Sequence, residues 1–112
     1  MSAPPRELPA GLTAVSRTPV FDESTIPAAL RCGHRTAEGV WGVIRVLEGR
    51  LLYRMVQPAS QQVLDPQHCG VIPPARVHEV EPLGPVRFVI EFYADPPEVN
   101  SRQIRPDGWA GT

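Results

Sequence analysis

The segment VRFVIEFYA, residues 86–94, constrains the fold more than any other stretch of the chain. Val86, Phe88, Ile90 and Phe92 fall on one face, and Arg87, Val89, Glu91 and Tyr93 on the other. This two-residue period is that of a strand with one side on a core. Shorter β-rich runs precede it: VWGVIRVL (40–47), RLLYRMV (50–56), QQVLD (61–65), CGVIPP (69–74) and RVHEVEP (76–82). Gly39, Gly49, Pro66 and the Pro73-Pro74 corner punctuate them, and no segment of useful length carries a helical period. Five or more short strands with turns every 8–12 residues predict an all-β sandwich or barrel.

Within that pattern, LEGR (47–50) reads as a tight hairpin turn, with Gly49 supplying positive φ between strands 40–47 and 50–56. TPVFDESTIPAAL (18–30), with two prolines, suits an extended edge more than a helix. Residues 1–17 are expected as a disordered or extended N-terminal arm, and 95–112 as a C-terminal loop or arm.

Length bounds the rest. A chain of 112 residues is one domain and buries roughly two thirds of its unfolded surface, enough for a core without staples. Cys32 and Cys69 are then expected as thiols. The formal net charge of −1 gives no sign of a nucleic-acid or anionic-membrane partner. No apolar run approaches the ~18 residues of a membrane span, and the N-terminus lacks a signal-peptide pattern, so a cytoplasmic location is expected.

Three segments carry chemistry when taken together. A histidine precedes the run that ends VLEGRL; GVIPPARVHEV follows; the FVIEFY strand closes the set. VLEG-x-L followed by G-x-I-P-P-x-x-x-H resembles the two half-motifs of the small cupins, which are double-stranded β-helix (jelly-roll) barrels. More closely, residues 18–94 resemble the TehB/YeaR-like domain. It is found at the N-terminus of some tellurite-resistance methyltransferases and as a stand-alone small protein. The resemblance rests on H-x-T-x-x-G-x-W at His34–Trp41 and P-x-x-x-H-x-V at Pro74–Val80. It implies a single cupin-like domain over 18–94. In the fused relatives methyl transfer belongs to a second domain. This sequence shows no glycine fingerprint after a strand, so neither that activity nor a nucleotide cofactor is expected of it.

The resemblance also implies a site. His34 matches the first histidine of the first cupin motif, Thr36 stands where the second would be, and His78 matches the second-motif histidine. If 34–38 is extended, Glu38 shares a face with His34 and Thr36, although not at the usual carboxylate spacing. His34, His78 and Glu38 are therefore the candidate ligands of one divalent metal: zinc, nickel, iron or manganese. The competing reading makes both histidines hydrogen-bonded wall residues. Thr36, Trp41 and Phe88 are the candidate pocket lining, or plain core.

Other polar residues carry weaker readings. Cys32 shares parity with His34. His68 is set aside as a turn residue: with His78 returning beside Ile72, it would lie on the order of 13 Å away at ~3.3 Å per residue. Arg45, Arg87 and Glu91 read as a solvated cross-strand ion-pair face, with an oxyanion site as the sharper alternative. Three functions stay open: a binding module for a metal or small ligand, linked to tellurite or oxyanion stress; a small metal-dependent isomerase or dioxygenase; and a structural dimerisation module. A homodimer is expected.

Overall fold

The computed structural model describes residues 8–95. The strongly alternating segment lies in its longest strand, β7 (Val77–Ala94), which pairs antiparallel along most of its length with β4 (Trp41–Met55). Around this pair run β1 (Thr13–Arg17), β2 (Phe21–Asp22) and β3 (His34–Arg35), all on β7, and β5 (Ser60–Leu64) and β6 (Gly70–Ile72), both on β4. One helical turn, α1 (Ala28–Arg31), precedes β3. Among the described residues, no helix is long and apolar enough to cross a membrane.

All-β is the fold class, but closure is not seen. The sheet runs β1-β7-β4-β5, and no ladder joins its two ends among the described residues. The strands that would complete a barrel wall are two or three residues long, cut short near Pro19, Gly33 and the Pro73-Pro74 corner. Proline lacks the N–H that a ladder needs, which limits such stubs.

The expected hairpin at LEGR is not formed. Residues 40–47 and 50–56 do not pair with each other; all but Val40 and Val56 belong to β4, laid against Phe88–Tyr93 and His78–Pro82 of β7. Gly49 does adopt positive φ, +81°, but within an irregular bend, where the register shifts between Val46 and Glu48 and again between Gly49 and Leu51. The bend has a packing purpose. Leu51 and Tyr53 share one buried cluster with Ile44 and Val46, although their numbering differs in parity. A regular strand would have sent them to opposite faces.

Strand β7 needs no such correction. Val80, Val86, Phe88, Ile90 and Phe92 all enter the main core, as the alternation predicts. The opposite face is covered too: Val43 and Tyr93 are buried beneath Leu8, with Trp41 and Val71 packed against them. The extended edge expected over 18–30 is realised only at Phe21–Asp22; Ala28–Arg31 coils into α1 and buries Leu30. The corner at Pro73-Pro74 also resolves differently from expectation. β6 pairs with β4, Ile72 opposite Gly42, and β7 does not return along it.

Candidate functional site

His34 and His78 are direct cross-strand partners, because β3 pairs with the start of β7. On its other side, His78 stands opposite Met55 of β4. Three strands thus enclose His78, and it is fully buried. The two imidazole rings are 5.5 Å apart between centroids and nearly perpendicular, at 86°. Tyr53 meets the His78 ring edge-on at 6.2 Å, held by its own hydroxyl, which donates to the Val71 carbonyl at 2.8 Å.

Both histidines line a cavity of about 230 Å³. Its apolar wall includes Phe21, Leu30, Ile72, Ile90 and Phe92, drawn from β2, α1, β6 and β7. Thr18 and Thr36 complete the polar part, and no Arg, Lys, Asp or Glu lines it among the described residues. Thr36 is buried, and its hydroxyl donates to the Pro73 carbonyl at 3.4 Å.

The hydrogen bonding of His78 fixes its chemistry. Nδ1 lies 3.1 Å from the Arg76 carbonyl oxygen, which can only accept, so Nδ1 carries the proton. Burial lowers the His78 pKa to about 4, against a smaller opposing effect of the Arg76 carbonyl, with the nearby His34 adding to the depression. Near neutral pH the ring is therefore uncharged and Nε2 is a bare lone pair. That atom is buried and has no hydrogen-bond partner. His34 is half-buried, and its desolvation also lowers its pKa.

The remaining candidates lie elsewhere. Extended backbone stops at Arg35, and a turn closed by the Val40 N–H donating to the Ala37 carbonyl leaves Glu38 exposed, off the cavity wall. The premise that 34–38 is one strand fails there. Cys32 is exposed at the end of α1. Trp41 packs on the opposite sheet face with Val43 and Tyr93, and Phe88 is core, touching the cavity only through its edge-on contact with Phe21. His68 is an exposed turn residue, its Nδ1 2.8 Å from the Asp65 carboxylate. Arg45 does pair with Glu91, at 2.8 Å, but the pair is largely buried, with side chains 17% and 18% exposed. Arg87 pairs with Glu48 instead.

Among the described residues, no three His, Cys, Asp or Glu side chains gather where they could hold a metal. Two neutral imidazoles leave a tetrahedral shell half empty. Among the described residues, the two imidazoles by themselves therefore do not make the full shell of a resident ion. What sequence reasoning missed is the cavity's cover, Phe21, Leu30 and α1. The signal was short but present: Pro27 immediately before Ala-Ala-Leu, a helix-starting proline followed by good helix formers.

The comparisons agree with this architecture. No curated protein sequence matches the chain. Among solved structures, a structural-genomics crystal structure of a protein from E. coli strain K12 superposes with a TM-score of 0.75 at 22% identity, covering 80% of this chain and 97% of that one. TehB from Haemophilus influenzae superposes with a TM-score of 0.74, also at 22% identity. That match covers 91% of this chain but only 38% of TehB, so the likeness concerns the shared fold. The profile of the TehB-like domain matches residues 16–90, more than half of the sequence, and the chain belongs to the TehB-like domain family.

Proposed function

We propose that this domain is a binding module for a small ligand, held in the cavity that His34 and His78 share. The observation that carries the reading is the orphaned Nε2 of His78. Buried polar atoms in folded proteins are satisfied in the great majority, and leaving one unmade costs about 1–3 kcal/mol. Ser16 Oγ is buried without a partner as well, but it does not line this cavity; what sets His78 Nε2 apart is its place on a residue of the wall shared with His34.

The link to tellurite resistance or oxyanion stress, and the cupin-like character of the bent sheet, belong to the same reading. So does a homodimer; sedimentation at tens of micromolar should give the mass of two chains, and a single-chain mass would remove that element. A divalent ion belongs to this reading only with ligands beyond those that the described residues bring together.

The test is a fragment library screened by NMR against the wild-type domain and a His34→Ala/His78→Ala variant, with elemental analysis of untagged protein alongside. Hits should shift the His34, His78 and Thr36 resonances and be lost in a variant that keeps its β-rich circular dichroism. A folded variant that binds the same fragments equally well would overturn the proposal.

A further inference from the structure

We infer that the cavity takes an uncharged, mostly apolar molecule about the size of a substituted benzene ring, whose one polar group donates a hydrogen bond to His78 Nε2. The inference rests on the reading of this cavity as the working site, and it narrows the ligand's chemistry.

Size comes first. An engineered cavity of roughly 150 Å³ lined by aliphatic and aromatic side chains binds benzene. The volume here, about 230 Å³, leaves room for one ring and a substituent.

Polarity comes second, and outside the His34 ring, which has one N–H and one bare nitrogen, it is one-sided. His78 Nδ1–H is committed to the Arg76 carbonyl, which leaves Nε2 only as an acceptor. The Thr36 hydroxyl proton goes to the Pro73 carbonyl, so toward a ligand that oxygen also accepts. The Thr18 hydroxyl donates to the Pro19 carbonyl and accepts from the Ile90 N–H. The polar atoms with assigned roles therefore call for a donor.

Charge comes third. A desolvated oxyanion needs a cation or several converging N–H groups. Among the described residues this wall has no Arg or Lys, and a neutral His34 supplies one N–H. An oxyanion such as tellurite would lose its hydration here and find almost nothing in return.

The experiment titrates phenol, toluene and tellurite into the wild-type domain and into His78→Leu, following the imidazole ¹⁵N signals and side-chain methyl groups. In the wild type, phenol should bind at least as well as toluene and move the His78 Nε2 signal, while tellurite displaces neither. In His78→Leu the ratio of phenol to toluene affinity should fall about tenfold, the worth of one hydrogen bond in a buried site. If that variant does not fold, the Nε2 response in the wild type still decides. Toluene binding with no Nε2 response to phenol, an unchanged ratio, or displacement of phenol by tellurite would overturn the inference and leave the cavity a binding site. Failure of both ring compounds to bind, with a fragment of another chemistry shifting the same residues, would overturn this inference alone. Silence of the cavity toward every compound would overturn the proposed function as well.

Discussion

His78 is costly where it stands. Its ring is fully buried, its Nε2 is orphaned, and its charged form is strongly disfavoured. The linkage has a definite sign. The unfolded chain takes up a proton on this residue near pH 6.5, while the folded chain resists until about pH 4. The unfolded state therefore binds more protons between these values, and stability falls as pH drops through that window. The total attributable to His78 is on the order of 3 kcal/mol. Urea unfolding between pH 7 and pH 4 should show this loss, and His78→Leu should flatten it; a variant with the wild-type slope would assign the titration elsewhere. The sequence made both histidines legible, because their two motifs stand on segments that the fold pairs. Glu38 was misplaced because a parity argument holds only while the strand continues, and this one ends at Arg35.

At the scale of elements, Gly49 shows why a strand pattern does not determine a turn. A glycine with positive φ between two β-rich runs serves a hairpin and a bulged bend equally well. Only the length and register of β7 decide between them, and these are long-range facts. Here the bend brings the Gly49 backbone against Pro85: a Cβ at Gly49 would lie 2.1 Å from the Pro85 carbonyl oxygen. Gly49→Ala should therefore cost about 3 kcal/mol, from the left-handed backbone and the clash together. Gly70 makes a useful contrast. A Cβ there would meet side-chain atoms alone, Leu64 at 2.9 Å and Tyr53 at 3.0 Å, without the backbone clash or the positive φ of Gly49. Gly70→Ala should cost about 1 kcal/mol. Equal unfolding midpoints for the two variants would contradict this account of the bend. Helix α1 escaped detection because four residues are too few to show a period, although its burial of Leu30 covers the site.

The whole molecule is a long bent strand pair that carries short stubs, and the cavity lies where the stubs meet it. The alternation in β7 made the all-β class and most of the core legible. Closure of the sheet was not legible, because it depends on how far each stub extends before a proline or glycine stops it. The site follows from this assembly: α1, β2, β3, β6 and β7 each contribute wall, and none forms a pocket alone. This assembly holds a neutral imidazole whose Nε2 is a buried, unprotonated acceptor. The measurement that reaches it most directly is a long-range ¹H–¹⁵N correlation of the His78 ring, followed from pH 7 downward. A protonated Nδ1, an unprotonated Nε2 and a titration midpoint of about 4 are expected. A proton on Nε2 at neutral pH, or a midpoint near the ~6.5 of free imidazole, would contradict this.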